Sequence, residues 1–310
     1  MAVIRQQCDF RWIVLSLALS VVSQIIRAWR WKLQLNALEI YPSFFQVVLS
    51  IFGTYAVNIV FPRLGEIWRT GYIAARRNAP FATVFGSMIA DRAADVVLVL
   101  VLTLVTLGLA SPALAAFVAR YPDAYNAIGS ILTSPITWVC IAVVTAMCWW
   151  LYTRYSKTKF ILKVRHAIVE LWQGFAVVFK MEQRLLWIVL WVSIWSCYFL
   201  QLYFTFYAFP FTYSLLETNG VICVLVAFVL SSIAMGIPSN GGMGPWQIAI
   251  IFALSLYAPA GMSAAQADTF RLNLTAFANL VLGTELLLMI LLGIFTFICI
   301  AFAKSKKTII

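Results

Sequence analysis

The sequence predicts an all-α fold, a polytopic membrane protein built as a helical bundle, and three observations predict it. First, 63% of the 310 residues are hydrophobic and the mean hydropathy is +0.94. Second, only 11% of the residues are charged, against about 25% in soluble domains. Third, the apolar residues are gathered into runs that are long enough to cross a hydrocarbon core, which takes roughly 20 residues of helix.

Five apolar runs are predicted to cross the membrane as single helices: residues 11–26, 83–110, 132–152, 185–209 and 272–302. Two further apolar regions, 43–74 and 219–258, are too long for one helix. Each is interrupted near its middle, by P-R-L-G-E at 62–66 and by P-S-N-G-G-M-G-P at 238–245. Because proline removes a backbone donor and glycine weakens a helix, each region is predicted to be a re-entrant, broken-helix hairpin.

The positive charges support this arrangement. With both hairpins re-entrant, 16 of the 22 Lys and Arg residues fall on the cytoplasmic side, and Arg63 and Arg92 fall within the membrane. Cytoplasmic loops carry such an excess. The cytoplasmic clusters include residues 27–32 and 69–77, the C-terminus, and segment 154–184, which is predicted to lie on anionic headgroups as an amphipathic helix. The same placement argues against direct nucleic-acid binding, despite a net charge of +11.

The whole chain, residues 1–310, is predicted to form a single transmembrane domain of the inner (plasma) membrane, with a cytoplasmic C-terminus. Its first half is 1–110, a connector covers 111–184, and the second half is 185–310, with one hairpin in each half. Both halves have the order span, hairpin, span, in opposite orientation, as in inverted-repeat transporters. The sequence similarity between the halves is slight, so the repeat itself stays open.

Polar residues inside the apolar regions form the candidate substrate site. In the first half they are Asn58, Arg63, Glu66, Arg69, Asp91, Arg92 and Asp95. Ionisable groups at membrane depth are costly and are therefore functional candidates. Asp91 and Asp95 are four residues apart and share one helical face. Arg63 offers a planar fork suited to phosphate, oriented by Glu66 and Asn58. The alternatives are a simple Arg63–Glu66 pair, and a structural ion-pair cluster that holds the hairpin to the helix.

The second half contributes backbone amides and one isolated carboxylate. The hairpin candidates are Asn240, Gly241, Gly242, Gly244 and Gln247. A helix that starts near Gly244 would direct its positive end into the membrane, where it could bind an anion. Tight packing of the turn is the alternative interpretation. Glu285 should be either protonated or partnered by another helix, and it is a candidate proton-coupling residue.

No catalytic, metal or cofactor site is expected. The six cysteines show no CxxC spacing, and the single His166 has no ligand partners nearby in the sequence. There is no Ser-His-Asp set and no HExxH motif. The chain is therefore not expected to be an enzyme.

Four stretches carry a family resemblance: R-A-W-R-W-K-L-Q-L at 27–35, N-I-V-F-P-R-L-G-E-I-W-R at 58–69, D-R-A-A-D at 91–95 and P-S-N-G-G-M-G-P-W-Q at 238–247. They resemble the flippase-like transmembrane family typified by the membrane region of lysylphosphatidylglycerol synthases. The resemblance covers nearly the whole chain, although members often begin with one more helix and often carry Glu where this chain has Gln247. The aminoacyl-transfer domain is absent, so synthase activity is not implied.

The resemblance implies a lipid flippase that moves an anionic or lipid-linked headgroup between leaflets. Arg63, Arg69 and Arg92 would contact phosphate, and Glu66, Asp91 and Asp95 would position them. Two alternatives remain. One is a membrane glycosyltransferase-type enzyme, or its accessory subunit, acting on lipid-linked sugars. The other is a proton-coupled solute transporter in which Glu285 carries the proton.

Overall fold

A computed structural model describes residues 8–110, 159–259 and 261–308, with isolated helical positions between 135 and 147. The described residues are helical apart from the connecting turns, so the predicted all-α class is confirmed. The helices of the three described ranges are α1 (Phe10–Ala37), α2 (Phe44–Val60), α3 (Leu64–Arg77), α4 (Phe81–Leu109), α5 (Lys159–Lys180), α6 (Arg184–Thr205), α7 (Pro210–Asn219), α8 (Val221–Ala234), α9 (Pro245–Ser255) and α10 (Ala264–Thr308).

Four of the described helices are long and apolar enough to cross a membrane. They are α1, α4, α6 with its 3₁₀ extension to Ala208, and α10 up to Ala303. Each corresponds to a predicted span. Helices α7 and α8 pass the same test as a pair but are bent by 111° at Gly220. Apart from the isolated helical positions between 135 and 147, the fifth predicted span, 132–152, and most of the connector before α5 lie outside the described residues.

The first predicted helix break is present. Helix α2 ends at Val60 and α3 begins at Leu64, with Pro62 in the turn between them. Arg63 adopts a left-handed conformation with φ of +67°, which is uncommon for a residue other than glycine. The backbone therefore reverses at the position that the P-R-L-G-E sequence indicated.

Helices α2 and α3 fold back on each other as a hairpin. Near the turn, Gly65 lies against the carbonyl of Thr54, where a Cβ would clash. At the open end, Arg77 Nη2 donates to Gln46 Oε1 at 2.7 Å. The start of α2 and the end of α3 are therefore adjacent, and that this hairpin is re-entrant stays a prediction.

The second predicted break lies between α8 and α9. The ten intervening residues include Gly241, Gly242 and Gly244, which have φ values of +62°, +88° and +88°. Helix α9 starts at Pro245, one residue beyond the predicted start. At the open end of this hairpin, Thr218 and Tyr257 line one cavity, so these two ends are also adjacent.

Helix α10 packs along both hairpins and shows their relative direction. Its Asn279 accepts a hydrogen bond from Gln247 at the start of α9. Two turns further on, Leu286 contacts the second turn, and beyond it Gly293 packs against Ala56 of α2. The hairpins therefore approach each other tip to tip from opposite ends of α10. The side of the membrane from which each enters stays a prediction, as does the inverted repeat.

The buried apolar residues form two main groups. One lies among α6 to α10 and includes Phe206 and Phe277, whose ring centroids are 5.8 Å apart. The other lies among α1 to α4 and includes Trp31, Ile51 and Ile73. Within a bilayer such contacts stabilise the bundle through van der Waals packing, because lipid tails are as apolar as the side chains.

The predicted end of the first span was wrong. The span predicted at 11–26 ended before Arg27, whereas the helix continues to Ala37. Arg27 is only 3% exposed and Arg30 is fully buried, so neither lies in a cytoplasmic loop. Arg69, placed in the next cytoplasmic cluster, is also fully buried. These three of the 16 positive charges lie inside the bundle because carboxylates of α4 lie beside them. The remaining excess of cytoplasmic Lys and Arg residues still favours the same orientation of the chain in the membrane.

The amphipathic segment forms helix α5, as predicted, but one of its faces packs on protein. Gly174 lies against the Thr83 carbonyl of α4, and Gly86 lies against the Leu171 carbonyl of α5. Trp172 remains exposed. Helix α5 is thus held to the bundle through paired glycines, and its contact with headgroups stays a prediction.

Candidate functional site

The two hairpin turns bind each other directly. We define the tip junction as residues 59–63 of the first hairpin and 235–241 of the second. Asn240 Nδ2 donates to the Ile59 carbonyl at 2.9 Å. In the other direction, Arg63 Nη2 donates to the carbonyls of Met235 at 2.9 Å and Gly236 at 2.5 Å. Carbonyls at helix C-termini lack intrahelical partners, so each hairpin caps the end of a helix in the other.

Arg63 is therefore not paired with Glu66, which was one alternative for these residues. The Asn58 side chain instead organises the start of α3. Its Oδ1 accepts the Gly65 N–H at 2.8 Å, and its Nδ2 donates to Glu66 Oε2 at 3.2 Å. Asn58 thus orients Glu66, whereas the sequence analysis expected both of these residues to orient Arg63.

The Gln247 side chain organises the start of α9 in the second hairpin, as Asn58 organises the start of α3. Its Oε1 accepts the Gly244 N–H at 2.9 Å, and its Nε2 donates to Asn279 of α10. A glutamine can do both because it carries an acceptor and a donor. The amide of Gly244, predicted as an anion donor, is thus already occupied by a protein group.

Gly241 and Gly242 lie in close packing. A Cβ on Gly241 would meet Leu286, and a Cβ on Gly242 would come within 2.6 Å of Met235 Sδ. This is the packing alternative that the sequence left open. A direct role of these two glycines toward a ligand stays a prediction.

Beside the tip junction lies a group of charged residues that we call the charge cluster. It comprises Arg27, Arg30, Glu66, Arg69, Asp91, Arg92 and Asp95. Its members come from α1, α3 and α4. Four arginines face three carboxylates, so the charge cluster carries one surplus positive charge.

Asp95 has the largest number of partners. Its carboxylate lies 3.3 Å from Arg27 Nη2 and 3.1 Å from Arg30 Nη1. It also accepts a hydrogen bond from Trp195 Nε1 of α6 at 3.2 Å. Such charge-assisted contacts compensate for the loss of water around a buried carboxylate.

Asp91 faces the same arginine, as its spacing from Asp95 predicted. Its Oδ1 lies 2.6 Å from Arg30 Nη2, and its Oδ2 lies 3.9 Å from Arg69 Nη2. Both Asp91 and Arg30 are fully buried. Arg30 therefore bridges the two aspartates of α4 and holds α1 against that helix.

Arg92 and Glu66 connect the first hairpin to α4. Arg92 Nη2 lies 3.2 Å from Glu66 Oε1, and Arg92 Nη1 lies 3.9 Å from Asp95 Oδ2. The Arg92 side chain is 33% exposed. The predicted link between the hairpin tip and span 83–110 is present, and Arg92 is the most accessible arginine of the charge cluster.

Arg69 is the least satisfied member of the charge cluster. Its guanidinium carbon lies 4.6 Å from the Trp31 ring centroid. None of its three guanidinium nitrogens has a hydrogen-bond partner among the described residues. Leaving a buried donor unpaired costs about 1–3 kcal/mol, and more for a charged group. The surplus charge of the cluster is thus centred on Arg69.

The sequence analysis missed Arg27, Arg30, Trp195 and Tyr198. Arg27 and Arg30 are three residues apart, which places both on one face of α1 opposite the paired aspartates of α4. That matching spacing was a usable signal. Trp195 binds Asp95, and Tyr198 has its ring centroid 5.7 Å from the Arg27 guanidinium carbon. Nothing in their own sequence context distinguishes them from lipid-facing aromatics.

Glu285 lies apart from the charge cluster. Ser20 Oγ of α1 donates to Glu285 Oε1 at 2.5 Å, so the carboxylate has a partner on another helix, which was one of the two alternatives for this residue. No ion pair of Glu285 occurs among the described residues of the chain.

Comparison with known proteins gives one match. The profile of the family described as "Lysylphosphatidylglycerol synthase TM region" matches residues 1–284. No curated protein and no solved structure matches the chain. The matched range contains the tip junction and the whole charge cluster, and its description fits a lipid-related function in a membrane. The chain belongs to the lysylphosphatidylglycerol synthase transmembrane-region family.

Proposed function

We propose that this protein is a lipid translocase that moves an anionic or lipid-linked headgroup between the leaflets of the inner (plasma) membrane. The observation that carries the proposal is the surplus positive charge on Arg69, buried beside the tip junction. An anionic headgroup would neutralise that charge and occupy the unpaired guanidinium donors. The chain performs no chemistry in this proposal and needs no cofactor.

The tip junction supplies the polar path. Non-helical backbone at membrane depth is tolerated only where it is buried in protein or lines a wet cavity. If the tips part, Ile59 and Met235 present carbonyls on either side of a gap that water can fill. The headgroup would cross through this gap while its tails stay in lipid.

The arginines have different roles along this path. Arg92, which is partly exposed, would meet the phosphate first, and Arg69 behind it would hold the phosphate. Glu66 keeps Arg92 in place through their ion pair. Arg63 would reach a phosphate only after releasing the two carbonyls that it now binds.

The proposed topology has both hairpins re-entrant, the first from the cytoplasm and the second from outside, with the C-terminus in the cytoplasm. The adjacent hairpin ends and the tip-to-tip approach along α10 support it. In this arrangement the charge cluster lies near the middle of the bilayer, reachable from either leaflet through the tip junction.

The test is transfer of fluorescent lipids between leaflets of proteoliposomes. A phosphatidylglycerol probe should move in the presence of the wild-type protein, and Glu66→Gln and Arg92→Gln should slow it at least tenfold. Glu217→Gln, which removes an exposed carboxylate of α7, is the matched control. If a probe with an uncharged headgroup moves equally well, the charge is not the basis of selection. If the folded wild-type protein moves no lipid under any gradient, the proposal is wrong.

A further inference from the structure

Glu285 lies at the level of the tip junction. It is near the middle of the Ala264–Ala303 span of α10, and its neighbour Leu286 contacts the Gly241 region of the second tip. It lies one residue beyond the range matched by the family. Its hydrogen-bond partner is Ser20, a residue in the middle of α1.

A buried polar stripe on α1 joins Ser20 to the charge cluster. The stripe consists of Ser16, Ser20, Ser23, Arg27, Arg30 and Gln34, all buried and spaced three or four residues apart. Gln201 of α6 donates to Ser23 at 3.5 Å. From Ser20 to Arg27 the stripe covers seven residues, or about 10 Å along the helix axis. Helix α1 therefore contacts Glu285 at one point and holds the α4 aspartates at another.

The surroundings of Glu285 contain few other ionisable groups. Helix α9 and the second tip carry none, and α2 carries only Tyr55, which interacts with Arg27. The remaining ionisable groups of α1 and α10 lie at least about two turns from the Ser20–Glu285 contact. Among the described parts of these helices they are Arg11, Arg27, Arg30, Lys32, Asp268, Arg271 and Cys299. An ionised carboxylate without a cation is costly inside a membrane, so the neutral acid is a readily accessible form.

We propose that Glu285 takes up a proton when an anion binds at the charge cluster. The inference rests on the proposed function for the identity of the anion. A negative charge added to the same bundle favours the neutral form of a carboxyl group. The proton comes from water and adds to a carboxylate oxygen, and the resulting acid can donate to the Ser20 hydroxyl. By linkage, proton binding strengthens anion binding by the same factor.

The direct test measures protons, not transport. Purified protein in weakly buffered detergent receives short-chain phosphatidylglycerol, and proton uptake is followed with a pH indicator. Wild type and Glu217→Gln should take up a fraction of a proton per molecule, rising toward one at the pH where the response is largest. Glu285→Gln should still bind the lipid but take up none. Equal uptake by Glu285→Gln and wild type would overturn the proposal, as would binding by wild type without uptake at any pH.

Transport under a pH gradient separates this proposal from the proposed function. When the solution on the side from which the lipid headgroup enters is acidified, the rate of phosphatidylglycerol transfer by wild type should change severalfold. The rate of transfer by Glu285→Gln should not change. If wild type takes up protons on lipid binding but moves no lipid, the proposed proton linkage is supported and the proposed lipid translocation is wrong. If wild type and Glu285→Gln both move lipid and respond identically to the pH gradient, the proposed translocation is supported and the proposed proton linkage is wrong. If the folded wild type does not bind the probe, both are wrong.

Discussion

Arg30 and Arg69 are both fully buried, yet their surroundings differ sharply. Arg30 lies within 3.1 Å of carboxylate oxygens of two aspartates, whereas Arg69 packs on the Trp31 ring and has its nearest carboxylate oxygen at 3.9 Å. One arginine is neutralised by protein and the other is not. The same substitution at the two positions should therefore have different effects.

Replacing Arg30 by Leu should strongly destabilise the protein. Asp91 would lose its closest cation and Asp95 one of three, and removing one partner of a buried pair costs about 3–5 kcal/mol. Thermal unfolding in detergent measures the effect. A midpoint equal to that of wild type would show that the bridge between α1 and α4 does not stabilise the fold.

Replacing Arg69 by Leu should cost at least about 2 kcal/mol less than Arg30→Leu, because each carboxylate keeps an arginine partner and the surplus charge is removed. Binding of phosphatidylglycerol to the purified variant should fall at least tenfold. Calorimetry and thermal unfolding on one preparation give both values. If Arg69→Leu is the more destabilising of the two, Arg69 is a structural residue.

The cross-tip hydrogen bonds should contribute measurably to stability. Asn240→Ala removes the donor to Ile59 and leaves a helix-end carbonyl unpaired, which should cost about 1–3 kcal/mol. Ser239→Ala, which removes only a local bond to Ile237, is the control and should be nearly neutral. Matching midpoints for the two variants would mean that water replaces Asn240 at the junction.

Gly65 should not tolerate a side chain. A Cβ there would meet the Thr54 carbonyl and come within 2.7 Å of Asn58 Oδ1, so Gly65→Ala should force the two arms of the first hairpin apart and lower the unfolding midpoint. Gly283→Ala is the control, because nothing lies within 4 Å of its Cβ position. That change should be neutral or stabilising by up to about 1 kcal/mol.

Cysteine labelling tests the proposed topology. In a cysteine-free background, Tyr41→Cys and Pro80→Cys flank the first hairpin and should react with a membrane-impermeant reagent from the cytoplasmic side only. Pro259→Cys, at the open end of the second hairpin, should react from outside only. Reaction of the first two positions from opposite sides would contradict a re-entrant first hairpin.

The sequence predicted those features that depend on local chemistry. Pro62 and the glycines after Asn240 mark helix breaks because they change the backbone itself. The four-residue spacing of Asp91 and Asp95 placed them on one face. Whether a charge lies inside the bundle depends instead on groups that are distant in the chain. Arg27 follows an apolar run in the manner of a loop charge, and only Asp95, 68 residues later, makes its burial tolerable.

The reciprocal capping at the tip junction has a mechanical consequence. Arg63 of the first hairpin closes a helix end in the second, and Asn240 of the second closes a helix end in the first. Neither hairpin can withdraw alone without uncovering acceptors on both, and only incoming solvent can satisfy them. In the proposed topology, the tips therefore part and the membrane midplane becomes hydrated in one event, and the junction stays dry until both hairpins separate.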